Sequence, residues 1–359
     1  MAHLSGLILV DCPASALNNA GADTGSRADN TVVVKKILTK AGTFPYVSAQ
    51  AFRFWWRQSL IGVGGWTASP IFREAKIAYT DSNPIVYAED DLFGYMRAPS
   101  KKAAAVSERE EDGTLQAATP LDPGTTLTRS SVLKTSTLIS IAPSEPTADF
   151  GVMARHEGNP VPHEHEFYRT TLAGLFSVDL RMLGRFYHVD RTGYRHLDSV
   201  RTKLAEEKGL AQYDNDRAYE LPLETRKARL RQLLQGLAEI TGGAKLAIHY
   251  TDVSPRLLMM AVAKGGNHLF GTAISADNKG LPKVNTEALK QVAQVYKSLL
   301  LSGFHIGLSQ GYLDDQRANL AETLKTIRGG GQEVSIPHPV EAIQDLLSAL
   351  EERASEWLQ

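Results

Sequence analysis

"PYVSAQAFRFWWRQSL", residues 45–60, decides how the rest of the chain is read. It follows closely on the β-branched "TVVVKK" of residues 31–36, so extended backbone passes within a few residues into a helix. Ser48 is a capping residue type, which predicts a helix from about Ala49 to Ile61. On that helix Gln50, Arg53 and Arg57 fall at i, i+3 and i+7, one face. Phe52, Trp55 and Trp56 project to other sides and can bury against a sheet. The polar stripe begins in the first turn, where unpaired backbone N–H groups and the helix dipole favour an anion. Arginine adds a planar fork matched to phosphate oxygens. Lys35 and Lys36 leave the preceding segment on opposite faces, so one of them can join the stripe. The competing reading is a solvated polar face above an aromatic core contact.

Composition bounds the choice. The chain has 359 residues, 43% hydrophobic and 22% charged, which is ordinary globular material for one large domain or two modest ones. A net charge of −1 argues against a general polyanion binder, but the charge is unevenly placed. Arg27, Lys35, Lys36, Lys40, Arg53 and Arg57 face only Asp29 in the early segment, whereas the tail from Ile336 is acidic. A lone Cys12 forms no internal disulfide, so a cytoplasmic location is the expectation. "MAHLSGLILVDCP" lacks a basic leader and its apolar run stops at Asp11, so it reads as a first strand rather than a signal or membrane segment.

Strand signals recur at "SSVLKTSTLISIA", "LAGLFSVDL", "AKLAIHYTD" and "PRLLMMAVAKGG". Helical periodicity puts Leu230, Leu233, Leu234, Leu237 and Ile240 on one face, with a stop at Gly242. A second helix turns Leu289, Val292, Tyr296 and Leu299 inward. The tail, about 337–359, is an amphipathic helix with Val340, Ile343, Leu347, Leu350 and Trp357 on its stripe, free to dock on its own domain or on a neighbouring subunit. Residues from about Arg97 to Thr126 are poor in large apolar side chains and read as a mobile insertion. The order of elements gives an α+β fold with a ferredoxin-like core and loop insertions rather than a doubly wound sheet.

Beyond these patterns, "DCPASALNNAG" followed by "TVVVKKILTKAGTFPYVSAQAFRFWWR" resembles the N-terminal signature of the DevR-type family of CRISPR-associated proteins. This family, called Cas seven, is the backbone subunit of type I Cascade within the RAMP superfamily. "DDLFGYM" (Asp90 to Met96), "RSSVLKTSTLIS" (Arg129 to Ser140) and "NPVPHEHEFYRTTLAGLFSVDL" are similar to it as well. The likeness covers roughly residues 5–180 by motif and the remainder only by order of elements. It implies a single modified RNA-recognition-motif palm over 1–359, with a finger insertion at about 63–130 and a thumb hairpin at about 143–170. It also implies a non-enzymatic subunit, type I-B-like, that polymerises with copies of itself along a CRISPR RNA beside other Cascade subunits. Target DNA is then met through the guide. The matching RNA-binding positions are Asn18, Asn19, Lys35, Lys36, Ser48, Gln50, Arg53 and Arg57, with Phe150 or Met153 as a wedge at an RNA kink. No cofactor is implied. The alternative within the superfamily is a type III-like subunit that cleaves target RNA through Asp29.

Three other motifs compete. "HEHEF" places His163 and His165 on one face of a strand with His156 nearby, a tolerable metal spacing. It has no Cys partner and no helical H-E-x-x-H, so no metal is assigned. "GLSQG" at Gly307–Gly311 matches a nucleophile elbow around Ser309, with only His338 following it. "KGGNH" and "RGGGQ" read as turns, and no P-loop motif occurs.

Overall fold

The computed structural model describes residues 1–22, 31–62, 65–74, 77–98, 111–154, 157–189, 195–330 and 333–359. Its spine is the first strand, Ala2–Ser15. That strand pairs antiparallel with Val161–Asp179 on one side, Leu7 opposite Leu175. On its other side it pairs antiparallel with Leu257–Lys264, Leu7 opposite Met259. The sheet extends through His305–Leu308 at one edge and through Leu138–Ser140, Gly42–Val47 and Lys36–Thr39 at the other.

Both faces of the spine are covered, which is why "LSGLILVDC" reads as a nearly continuous apolar run. Leu4, Ile8 and Val10 point into a core shared with the helices Ala49–Gly62, Leu223–Ala238 and Pro339–Trp357. Leu7 and Leu9 point the other way, towards Leu289, Leu320 and Leu324 of the helices Thr286–Val295 and Asp314–Ile327. At Gly6 a Cβ would lie 2.0 Å from the Phe176 ring, so only glycine lets that ring cross the spine. Phe176 in turn meets Trp56 edge-on at 5.4 Å, and the Trp56 indole donates to the Leu233 carbonyl at 2.8 Å. One fully buried tryptophan thus joins the sheet, the basic helix and the helix Leu223–Ala238, a burial that contributes roughly 3 kcal/mol.

The region between the first helix and the long strand carries small strand pairs, Ile71–Arg73 with Ala78–Thr80 and Tyr95–Arg97 with Leu127–Arg129. A short helix, Ala88–Phe93, carries three consecutive acids, of which the outer two reach the body and the middle one braces the region itself. Glu89 pairs with Arg57 at 3.2 Å. Asp90 accepts from the Ser69 hydroxyl and the Asn83 N–H. Asp91, fully buried, receives Arg129, Arg229 and the Gly184 N–H. Residues 99–110, the centre of the expected mobile insertion, lie outside the described residues.

Several sequence expectations need correction. "AKLAIHYTD" is a turn rather than a strand: the N–H groups of Ile248 and His249 both return to the Lys245 carbonyl, and Lys245 sits at φ +52°. The helix carrying Leu230 ends at Ala238, short of Gly242, although Ile240 is still buried. The helix carrying Leu289 ends at Val295, which leaves Leu299 beyond it and 38% exposed. The tail helix docks on its own chain, burying Ile343, Leu346, Leu350 and Trp357, with Leu347 only half-buried. His338 caps it and Glu341 closes a capping box. The helices Ser199–Glu207 and Asp314–Ile327 have no counterpart in the sequence reading.

Candidate nucleic-acid interface

The predicted site residues lie on three elements that the backbone brings together. Strand Ala2–Ser15 runs into a loop whose Asn18 carbonyl accepts from the Lys35 N–H at 2.8 Å. The Asn18 side-chain oxygen accepts from the Ser48 N–H at 2.9 Å. Ser48 Oγ accepts from the Ala51 N–H at 3.3 Å and so caps the helix that carries the stripe. Loop, basic strand and helix N-terminus therefore share one hydrogen-bonded corner. The Asn19 side-chain oxygen is buried there and finds no partner among the described residues.

Along the helix, Gln50, Arg53 and Arg57 line one cleft of about 380 Å³ with Phe54, Thr80, Glu89, Phe93 and Gly94. Phe52, Trp55 and Trp56 are buried on the opposite side, as the spacing predicts.

The four cations differ in what meets them. Lys36 Nζ lies 2.6 Å from Glu166, and Arg57 is paired with Glu89, so both charges are compensated. Arg53 donates to the Leu133 carbonyl at 2.6 Å, the Phe93 carbonyl at 2.8 Å and Ser131 Oγ at 3.1 Å, and it lies over the Phe93 ring. All these partners are neutral, so the positive charge beside the cleft survives. Burial, with Arg57 beside it, lowers the Arg53 pKa to about 10, still protonated at neutral pH. Lys35 is half-buried and has no ion pair among the described residues. Gln50 is exposed.

Next to this corner, Thr147–Met153 and Val161–Phe167 form an exposed hairpin, with Phe150 opposite Glu164. Phe150 and Met153 are both exposed, at 64% and 61%. At its base His163 and His165 have parallel rings 6.3 Å apart. His165 Nε2 lies 2.8 Å from His249 Nε2, one donating and the other accepting. Among the described residues no group of three or more His, Cys, Asp or Glu side chains is arranged to hold a metal ion. His156, Arg27 and Asp29 lie outside the described residues.

The Ser309 motif has a different meaning from an elbow. Ser309 Oγ lies 3.4 Å from His338 Nε2, but His338 Nδ1 accepts the Val340 N–H at 3.3 Å. A neutral ring that accepts at Nδ1 carries its proton on Nε2, so it donates to Ser309 instead of activating it. Cys12 is equally inert: it is fully buried, and desolvation pushes its thiol up to about 12.

Sequence reasoning misses the turn Lys245–His249 as part of this corner, and it misses the compensation of Lys36 by Glu166. A histidine before an aromatic in "AIHYTD" is visible, but a partner lying 84 residues away is not.

Among known proteins, the family model described as CRISPR-associated negative auto-regulator DevR/Csa2 matches residues 10–270. No curated protein sequence matches the chain. Two solved structures are similar to it, titled "CRISPR RNA-guided surveillance complex" and "CRISPR RNA-guided surveillance complex, pre-nicking". In each case identity is 12%, the TM-score is 0.50, and the match covers 97% of this chain and 99% of the other, a likeness of fold. With a family model that covers residues 10–270, the capped basic helix and the hairpin included, the chain belongs to the CRISPR-associated DevR/Csa2 family.

Proposed function

We propose that this protein is a non-enzymatic backbone subunit of a type I, type I-B-like, CRISPR surveillance complex that grips the guide RNA by its backbone. The observation that carries the reading is the corner itself. Loop 15–19, the segment at Lys35 and the Ser48-capped helix converge, and among the described residues no carboxylate pairs with Lys35 or Arg53. A protein that tracks a single strand needs cations and backbone donors on phosphates and needs no base-edge readout.

In this reading Lys35 and Gln50 offer polar groups to the RNA, and Asn19, whose side-chain oxygen is buried without a partner among the described residues, lines the corner beside them. Asn18 and Ser48 hold the surface in shape, and Arg53 supplies charge while fixing the cleft wall. Lys36 and Arg57 engage phosphate only by sharing it with Glu166 and Glu89. The sheet serves as an RNA-recognition-motif palm, the region 63–130 as finger and the hairpin within 143–170 as thumb. Copies of the chain follow one another along a guide whose bases stay free for target DNA, within a cytoplasmic complex. Among the described helices none is long and apolar enough to cross a membrane. The RNA-cleaving alternative rests on Asp29 alone and gains no support from the described residues.

The test is co-expression with a CRISPR array, its processing enzyme and the other complex subunits, followed by purification on this chain. Guide-sized RNA carrying several copies of the protein is the expected result. A particle that contains the chain and other subunits but no RNA would refute the reading.

A further inference from the structure

The turn Lys245–His249 is held more firmly than a surface loop requires. Its entry is tied to the first loop, the Ala244 N–H donating to the Leu17 carbonyl at 3.0 Å. Just before it, Gly242 lies so close to Trp55 of the basic helix that a Cβ would sit 2.2 Å from the indole. Its exit is tied again: Thr251 Oγ1 lies 2.7 Å from Ser15 Oγ and donates to the His249 carbonyl at 3.2 Å. His249 bonds His165 of the hairpin and stacks on Phe167 with ring centroids 5.0 Å apart. One short turn therefore touches the loop, the helix and the hairpin that form the candidate interface.

From this rigid support two apolar side chains stand out into solvent, Ile248 at 63% and Tyr250 at 78% exposure. Exposed side chains of this kind gain nothing from the fold. A tyrosine in that position offers a flat, amphipathic face at low entropic cost, because its backbone is already fixed. Lys245 lies on the same turn and gives it a cation; partial burial lowers its pKa. Aromatic face, neighbouring cation and rigid backbone are the ingredients of a stacking contact for an unpaired nucleobase. A protein partner would use the same tyrosine with a surrounding apolar rim, whereas the turn that leads into Tyr250 carries Lys245 and His249 as well as Ile248, and His249 joins His165 and, through it, His163.

We propose that Tyr250 is a base-stacking platform for single-stranded RNA at the corner formed by loop 15–19, the basic helix and the hairpin. This rests on the RNA-binding reading above and adds to it a base contact that a grip on phosphates does not require. The platform takes any base, since stacking uses the ring face rather than its edges.

The test compares wild-type, Tyr250→Ala and Tyr250→Phe protein, each in the assembled complex and each checked for the same melting temperature. Affinity is measured for a labelled single-stranded RNA and for the same RNA with abasic riboses at successive positions. Tyr250→Ala is expected to weaken the base-bearing RNA by about 5- to 100-fold, with Tyr250→Phe close to wild type. On the abasic RNA all three proteins bind alike, and the salt slope of Tyr250→Ala equals that of wild type because the same phosphates stay neutralised. Equal binding of base-bearing RNA by Tyr250→Ala and wild type overturns the platform and leaves the RNA-binding reading standing. So does an equal drop in affinity on both RNAs, or impaired self-association with RNA affinity unchanged. A wild-type complex that binds neither RNA overturns both.

Discussion

Two arginine sites among the described residues are built in opposite ways. Around Asp91, Arg129 and Arg229 are buried and share one carboxylate, and their remaining donors go to carbonyls of Met182, Arg185, Pro84 and Ile85. On the basic helix, Arg53 has no carboxylate partner among the described residues, only carbonyls, a hydroxyl and an aromatic face. The first cluster is closed: its donors are used and water is excluded, so it fixes how the 63–130 region sits on the body. The second leaves a charge facing a cleft. The arginines that brace the 63–130 region share an acid, whereas Arg53 is held by neutral groups that keep its charge available.

The closed cluster should be the most costly to disturb. Asp91→Ala leaves two buried guanidiniums on neutral partners and is expected to destabilise the fold by about 3–5 kcal/mol, read from the shift in denaturation midpoint. A change below about 1 kcal/mol would mean that the cluster is wetter than its burial implies.

Asp90 sharpens the same contrast through pH. Its carboxyl is fully buried with one oxygen unpartnered, and desolvation raises its pKa to about 6, above the ordinary 3.8. A folded-state pKa raised in this way favours the fold fully below about pH 4, and the benefit is lost as pH rises through 6. Asp90→Asn should therefore be more stable than wild type at pH 8, by up to about 3 kcal/mol, with the gap closing by pH 4. Denaturation at the two pH values checks this, and a gap independent of pH would contradict it.

Arg53 is expected to cost less than Asp91, because its partners remain near solvent. Arg53→Ala removes three hydrogen bonds from a charged donor, about 2–3 kcal/mol of stability. Arg53→Lys should recover part of that while keeping the charge, and so retain RNA affinity better than Arg53→Ala. Equal affinity of the two variants would assign Arg53 a purely structural role.

Much of this is legible in the amino-acid sequence. The spine strand shows as an unbroken apolar run because both of its faces are covered. The stripe of Gln50, Arg53 and Arg57 and the buried set of Phe52, Trp55 and Trp56 follow from helical spacing alone. What stays hidden is pairing across long sequence separations. In "ETRKARLRQLL" the spacing marks the leucine face but not the basic residues as interior, yet Arg226 and Arg229 are buried, and the acid that meets Arg229 is 138 residues away. The turn at Lys245 reads as a strand because its apolar alternation is local, while its shape is imposed by Leu17, Ser15 and His165 from elsewhere. Periodicity reports which side of an element is apolar; it carries no record of a distant partner.

The central claim, that the corner grips an RNA backbone through uncompensated charge, is tested most directly at Lys35. Its charge has no partner among the described residues, and its backbone hydrogen bonds survive substitution. The measurement is the dependence of log affinity on log salt for single-stranded RNA, wild type against Lys35→Ala, in the assembled complex. The expected result is weaker binding of every sequence alike and a slope reduced by roughly 0.7 for each phosphate that is no longer neutralised. An unchanged slope and affinity would contradict the claim and return the basic corner to an ordinary solvated surface.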